Sequence, residues 1–238
     1  MIAFTYILIN FLTIIICFIF SFDKRIKFYR YFQPFIMASI LVAIPFIIWD
    51  IWFTSQGVWW FNSTYTLGIS IFNLPLEECL FFICIPFSCV FTYYCLTKFF
   101  NLDWANGFNN IIVFVTVIVC AVIALLFQDR LYTFVTALVT ILSIVYFHFI
   151  DKQEWIGEVS FVYTILMLGF LPVNGVLTGT GLESPIVNYN SEEFMNFRIG
   201  TIPIEDAVYG YIMILWNLYF FKKFSKNVDT NPNTYEQR

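Results

Sequence analysis

Two short segments of the chain share one pattern: residues 74–78 read LPLEE and residues 202–206 read IPIED. In each segment, a proline is followed by one apolar residue and then by two adjacent acidic residues, and a long apolar run comes next. Proline suits the first turn of a helix, where its missing N–H removes no hydrogen bond. Acidic side chains there are stabilised by the helix dipole, typically by about 0.3–1 kcal/mol. Each segment therefore predicts the start of a helix.

The two segments lie 128 residues apart, and the same offset aligns other charged residues of a chain that has few of them. At this offset Asp23 and Lys24 align with Asp151 and Lys152, and Lys98 aligns with Lys226. Because a fixed offset across rare residue types indicates internal duplication, we interpret the chain as two copies of one unit.

The composition predicts a membrane protein. Of 238 residues, 60% are hydrophobic, 22% are aromatic and only 12% are charged, whereas ordinary soluble domains carry about 25% charge. So little charge excludes a soluble enzyme, a nucleic-acid-binding protein and a disordered chain. The six cysteines lie in apolar runs and there is one histidine, His148, so we predict no metal site. The 52 aromatic residues (31 Phe, 14 Tyr and 7 Trp) exceed what membrane spans require.

Apolar runs of about 20 residues predict an all-α fold with seven transmembrane helices. The predicted spans are residues 2–21, 34–53, 76–97, 109–128, 131–150, 158–178 and 204–222. Three helices form each repeat and one helix joins them, which is a 3+1+3 arrangement of parallel copies. The predicted domains are a first repeat at 1–100, a linker helix at 101–130, a second repeat at 131–226 and a polar cytoplasmic tail at 227–238.

The basic residues predict the orientation, since Lys and Arg concentrate on the cytoplasmic side of a membrane. Only Arg130 and Arg198 fall on the side of the N-terminus. The ten on the other side are Lys24, Arg25, Lys27, Arg30, Lys98, Lys152, Lys222, Lys223, Lys226 and Arg238. We therefore expect an N-out, C-in multi-pass protein of the cell membrane.

The four motif acids, Glu77, Glu78, Glu205 and Asp206, are the candidate catalytic residues. An acid within a membrane span costs about 2.5–3.5 kcal/mol on insertion scales and points to function. Helix capping is the alternative, and it accounts less well for four acids at repeat-related positions. Parallel repeats put both motifs at one depth, on the outer side, where they can face one cavity. Neighbouring helical residues point about 100° apart, so one carboxyl of a pair can stay protonated as a donor while the other accepts a proton.

Three further polar residues are candidates for lining the cavity. Asp50 either lines it or lies at the membrane interface beside tryptophans. Asn174 either breaks helix 6 at the cavity or forms a helix–helix hydrogen bond. Arg198 either pairs with Glu205 or Asp206 or lies at the interface. Aromatic rings around such a cavity would also stabilise a carbocation.

The two Pro-x-Glu-[Glu/Asp] motifs, each opening the last helix of a three-helix unit, resemble those of the membrane-integral lycopene cyclase domain family. The resemblance covers essentially the whole chain and is to the fused, two-repeat form of the heterodimeric type. It implies acid-catalysed, redox-neutral cyclisation of the ψ-ends of lycopene to β-rings, through γ-carotene to β-carotene. The enzyme would be a lycopene cyclase, an intramolecular lyase or isomerase that needs no cofactor. The flavoprotein cyclases differ, because they carry a G-x-G-x-x-G fingerprint that this sequence lacks.

The resemblance implies that the motif acids divide donor and acceptor roles. We expect Glu78 and Asp206 to face the cavity, with Glu77 and Glu205 tuning them, and the roles can be exchanged. The expected partners are lycopene from the bilayer, membrane lipid and other carotenoid-pathway enzymes, but not nucleic acid. The alternatives are a cyclase of C50 or other carotenoids and a proton-coupled transporter of small solutes.

Overall fold

Long helices form most of residues 2–230, the part of the chain that the computed structural model describes. The helices are α1 (Thr5–Phe20), α2 (Phe32–Gln56), α3 (Leu76–Phe99), α4 (Asn109–Leu126), α5 (Leu131–Val145), α6 (Ile156–Leu177) and α7 (Ile204–Thr230). A short 3-10 turn precedes α1, α2 and α4, and a π-helical turn, Tyr146–Ile150, follows α5.

The predicted spans agree with these helices to within a few residues at most boundaries. The exception is α7, which ends at Thr230 instead of at 222. Its last residues, 227–230, belong to the segment predicted as a polar tail. The rest of that tail, including Arg238, lies outside the described residues.

Several of these helices can cross a membrane. Among the described residues, six helical segments are long and apolar enough, and they are Ile2–Phe20, Phe28–Gln56, Leu76–Phe99, Asp103–Leu126, Leu131–Ile150 and Ile156–Leu177. Helix α7 is also long, but Glu205, Asp206 and Asn217 make it more polar. Large apolar side chains such as Leu125 and Leu168 are about three-quarters exposed, at 75% and 76%. Exposed apolar surface on this scale is typical of a protein that lipid surrounds.

A short antiparallel hairpin immediately precedes each acidic helix start. The first pairs β2 (Ser70–Ile71) with β3 (Leu74–Pro75), and the second pairs β5 (Arg198–Ile199) with β6 (Ile202–Pro203). Each has a two-residue loop whose first residue has a positive φ, 56° at Phe72 and 64° at Gly200, which is the pattern of a type II′ turn. Both prolines therefore end a strand and lead directly into a helix.

The described residues form two compact units. The first comprises residues 2–52, 63–95 and 213–230. Its core is aromatic: Phe28 is fully buried and lies 5.4–5.9 Å, between ring centroids, from Phe87, Phe91 and Phe221. Part of the aromatic surplus in the composition is therefore used in packing this unit.

The second unit comprises residues 53–62 and 96–212. In it α4 packs along α5, and α6 packs on the turn Asp103–Phe108. The strands β1 (Trp59–Phe61) and β4 (Val187–Tyr189) pair antiparallel, with Trp59 opposite Tyr189. This ladder is one of several contacts that hold the long segment between α6 and α7, and the backbone N–H of Tyr132 adds another by donating to the carbonyl of Glu193.

Candidate active site

Asp206 lies in the first turn of α7, where three neutral groups donate hydrogen bonds to its carboxylate. The hydroxyl of Tyr132 donates to Oδ1 at 2.6 Å, and Oδ2 accepts from Nδ2 of Asn174 at 2.7 Å and from the hydroxyl of Tyr189 at 2.8 Å. The donors come from α5, α6 and β4, so three separate elements converge on one side chain. Asp206 is 6% exposed. These contacts are additional to the interaction of a first-turn acid with the helix dipole.

Glu205, the preceding residue, is bound differently. Its Oε1 accepts from the backbone N–H of Met195 at 2.8 Å and from the hydroxyl of Thr133 at 2.6 Å. Its Oε2 is buried and has no donor among the described residues. The side chain is 2% exposed. Glu205 therefore connects the segment before α7 to α5 through a single carboxyl oxygen.

Aromatic rings surround the Asp206 contacts. The rings of Tyr132 and Tyr189 are stacked, with centroids 6.1 Å apart and planes at 14°. Trp59 meets both edge-on, with its centroid 5.1 Å from Tyr132 and 6.1 Å from Tyr189. Phe53 packs against Trp59 at 4.9 Å. The π face of an aromatic ring attracts a cation that lies within about 6 Å of its centroid.

The motif in the first unit has a related arrangement. The hydroxyl of Tyr6, on α1, donates to Oε2 of Glu78 at 2.5 Å. Oε1 of Glu77 accepts from the backbone N–H of Leu67 at 2.6 Å, and Oε2 of Glu77 is buried without a donor among the described residues. Nδ2 of Asn10 donates to the carbonyl of Glu77 at 2.8 Å. The first acid of each motif thus binds a backbone N–H, and the second binds a tyrosine.

These contacts recur at fixed spacings along the chain. Leu67 and Met195 lie 128 residues apart, as do Glu77 and Glu205. The tyrosines, Tyr6 and Tyr132, are 126 apart. The shorter spacing explains why the 128-residue alignment misses them.

The structure places the other predicted residues as follows. Asn174 lies on α6 and donates to Asp206 on α7, so it forms the helix–helix hydrogen bond that was the second alternative for this residue. Asp50, near the end of α2, is 3% exposed. Arg198 is exposed: its guanidinium binds the carbonyl of Thr201 and lies 4.7 Å from the ring centroid of Phe194. Of the two alternatives for Arg198, the structure does not show the pairing with Glu205 or Asp206: in the described part of the chain it forms no ion pair with either acid, and its guanidinium lies over an aromatic ring instead.

Comparison with known proteins identifies the family. A family model described as lycopene cyclase matches residues 3–96 and again residues 129–224. The chain belongs to the lycopene cyclase family. It is thus a carotenoid cyclase, a membrane enzyme whose substrate is a hydrophobic carotenoid. Both matched segments begin just before a Tyr that binds a motif acid, and both extend past that acid. No curated protein and no solved structure matches the chain significantly.

Sequence reasoning missed the tyrosines and the tryptophan of this cyclase. Tyr6, Tyr132, Tyr189 and Trp59 are four of 52 aromatic residues, and none of them is adjacent to a charged residue. Tyr6 and Tyr132 could have been found by allowing the repeat offset to fall to 126 in the first helix of each copy. Nothing in the local sequence distinguishes Tyr189 or Trp59.

Proposed function

We propose that the protein is a lycopene β-cyclase that converts both ψ-ends of lycopene to β-rings, through γ-carotene to β-carotene. The observation that carries the proposal is the buried Asp206 carboxylate, held by Tyr132, Tyr189 and Asn174 and surrounded by rings. A carboxylate fixed in a dry, aromatic setting suits the removal of a proton from a hydrocarbon cation.

The proposed reaction begins when a motif carboxylic acid gives its proton to the terminal double bond of a ψ-end, which leaves a tertiary carbocation. The π electrons of an inner double bond attack that carbon and form the ring C–C bond, so the positive charge moves to the inner carbon. A carboxylate then removes a ring proton, and the C–H electrons become the ring double bond. One proton is added and one is removed, so the step is an isomerisation without redox change, and it consumes no cofactor.

The catalytic residues in this proposal are the four motif acids, Glu77, Glu78, Glu205 and Asp206. Tyr6 orients Glu78, and Tyr132, Tyr189 and Asn174 orient Asp206. Trp59 and the two tyrosines beside it stabilise the cation through their π faces, an interaction worth about 0.5–2 kcal/mol. Asp50 remains a proposed residue of the substrate cavity.

We also propose that the chain crosses the cell membrane seven times, N-out and C-in, as two parallel three-helix repeats joined by α4. The distribution of Lys and Arg supports the orientation, and the twofold family match supports the repeat. Topology is tested by fusing a reporter that is active on only one side of the membrane after α3, α4 and α7. Reporter activity on the outer side after α7 would contradict the proposal.

The function is tested by expressing the full chain in a bacterium that accumulates lycopene and analysing the pigments. We expect β-carotene, with γ-carotene as the intermediate. Rings of another type would replace the β-cyclase assignment with another carotenoid cyclase, and the same assay with a C50 precursor tests the C50 alternative. Unchanged lycopene in cells that contain the folded protein would contradict cyclisation and favour the transporter.

A further inference from the structure

A cavity of about 330 Å³ lies within the second unit, where the last residues of α3 meet the start of α6. That volume is at the lower end of the range for small-molecule sites, about 300–1,000 Å³. The cavity is lined by residues 97–103 and by Glu158. Neither acidic motif contributes to it, so it is separate from the candidate active site.

Asparagine side chains fix the walls of this cavity. The backbone N–H of Glu158, in the first turn of α6, donates to Oδ1 of Asn106 at 2.9 Å. In the segment that follows α3, the backbone N–H of Asp103 donates to Oδ1 of Asn101 at 2.9 Å. The backbone positions of Glu158 and Asp103 are therefore held by hydrogen bonds, and the cavity is a built part of the unit.

The cavity carries charges of both signs. Lys98 contributes a positive charge, and Asp103 and Glu158 contribute negative charges. Glu158 is only 9% exposed, whereas Lys98 and Asp103 are exposed. A simple anion would meet two carboxylates here, and a simple cation would meet the ammonium of Lys98. A ligand that carries one positive and one negative group matches both signs at once.

The cavity lies at the edge of the apolar part of the molecule. Three of the helical segments that can cross a membrane have an end beside it, namely Leu76–Phe99, Asp103–Leu126 and Ile156–Leu177. A lysine at the end of a span reaches the level of the lipid headgroups. The rings of Phe99 and Phe100, which line the cavity, are exposed. An occupant at this level can place a polar group in the cavity and apolar chains against these rings.

We propose that this cavity binds the headgroup of a phospholipid that joins a phosphodiester to a primary ammonium, as in phosphatidylethanolamine. The ammonium binds the carboxylates of Glu158 and Asp103, and the phosphodiester binds the ammonium of Lys98. A primary ammonium donates up to three hydrogen bonds, whereas the quaternary ammonium of a choline lipid has no N–H. Because hydrogen bonds between charged groups are about twice as strong as neutral ones, the site prefers an ethanolamine lipid to a choline lipid.

The bound headgroup connects two elements of the second unit. Its phosphodiester binds the last turn of α3, and its ammonium binds the start of α6. A ligand that binds only the folded state stabilises that state by mass action, so the lipid raises the melting temperature. This role involves none of the motif acids, and it is independent of the proposed cyclase reaction.

Binding is measured by native mass spectrometry of the purified full chain in detergent. Ethanolamine, choline and glycerol phospholipids with the same acyl chains are added in separate titrations. We expect the ethanolamine lipid to bind with a Kd lower than that of the choline lipid by roughly tenfold or more, the effect of one hydrogen bond between charged groups. The glycerol lipid, which is a net anion, should bind less tightly than the ethanolamine lipid. Equal binding of the three lipids, or a preference for the glycerol lipid, would overturn the proposal.

Two variants separate the roles of the charges. Glu158→Gln removes a negative charge at nearly constant shape and should abolish the preference for the ethanolamine lipid over the choline lipid. Lys98→Met removes the positive charge and should weaken both lipids alike, because both carry the phosphodiester. Glu183→Gln and Lys24→Met, at exposed positions outside the cavity, are the matched controls and should bind as the wild type does. A preference that survives in Glu158→Gln would overturn the assigned ammonium site.

Thermal unfolding in the same detergent provides a second measurement. The ethanolamine lipid should raise the melting temperature of the wild type by several degrees more than the choline lipid does. If Glu158→Gln does not fold, Asp103→Asn, at an exposed position, tests the same ammonium site and should reduce this difference. An equal difference in the wild type and in Asp103→Asn would then overturn the proposal.

Discussion

The backbone N–H of Met195 donates to Oε1 of Glu205 at 2.8 Å, and this contact joins the segment before α7 to the acidic motif. We expect Glu205→Ala to lower the free energy of unfolding by about 1–3 kcal/mol, because the N–H and the Thr133 hydroxyl lose their acceptor. Glu205→Gln keeps a carbonyl oxygen there and should retain most of the stability. Thermal unfolding in detergent measures the difference. Glu192→Ala, at an exposed position in the same segment, is the control, and equal melting temperatures for the two alanine variants would refute the prediction.

The tyrosine hydroxyls at the second acid of each motif should affect rate more than folding. Tyr6→Phe and Tyr132→Phe each remove a hydrogen bond to a buried carboxyl. A hydrogen bond to a charged group contributes about 1.5–3 kcal/mol, so we expect lycopene conversion in membranes to fall by roughly 10–100-fold. Tyr163→Phe is the matched control, because that hydroxyl binds the backbone carbonyl of Ala207. If all three variants convert lycopene at the same rate, Tyr6 and Tyr132 do not act through the motif acids.

The indole ring of Trp59 should stabilise the cation, and the neighbouring Trp60 should not. Trp59 is 5% exposed and packs on Tyr132 and Tyr189, whereas Trp60 is 49% exposed. Loss of one cation–π contact, about 0.5–2 kcal/mol, predicts that Trp59→Leu slows cyclisation by roughly 2–30-fold. Trp59→Phe, which keeps a ring, should be less affected. Pigment analysis over time measures the rates, and a Trp60→Leu variant as slow as Trp59→Leu would show a general packing effect instead.

The turn before α4 approaches α6 so closely that only glycine fits at position 157. A Cβ on Gly157 would lie 2.1 Å from the carbonyl oxygen of Ala105, a backbone atom that cannot rotate away. Gly157→Ala should therefore destabilise the protein by about 1–3 kcal/mol, as overpacking typically does. Gly107→Ala is the control because its Cβ would meet nothing within 4 Å. Thermal unfolding in detergent measures the stability of both variants. Equal melting temperatures would refute the prediction and show that α6 can move away from the turn at little cost.

Much of the helical architecture follows from the sequence because hydropathy and helix starts are local properties. The predicted starts at 76 and 204 coincide with those of α3 and α7. The predicted end of α7 at residue 222 is wrong. Hydropathy marks where the apolar run ends, but polar residues can continue a helix beyond that run, and here they do so to Thr230. Arg198 forms no ion pair with the motif acids among the described residues, because proximity in sequence does not fix the direction of a side chain. Its guanidinium lies over the ring of Phe194 instead.

Local sequence patterns predict the class of protein, the helix starts and the four motif acids. The contacts of each acid depend on how the chain folds. Tyr132 and Tyr189 precede Asp206 by 74 and 17 residues, so only folding brings their hydroxyls to its carboxylate. Both oxygens of Asp206 accept hydrogen bonds, whereas Oε2 of Glu205 has no donor among the described residues, and this difference arises from distant contacts. Two adjacent carboxyls thus receive different hydrogen-bond donors, because residues distant in sequence supply those donors and their positions are not a local property of the chain.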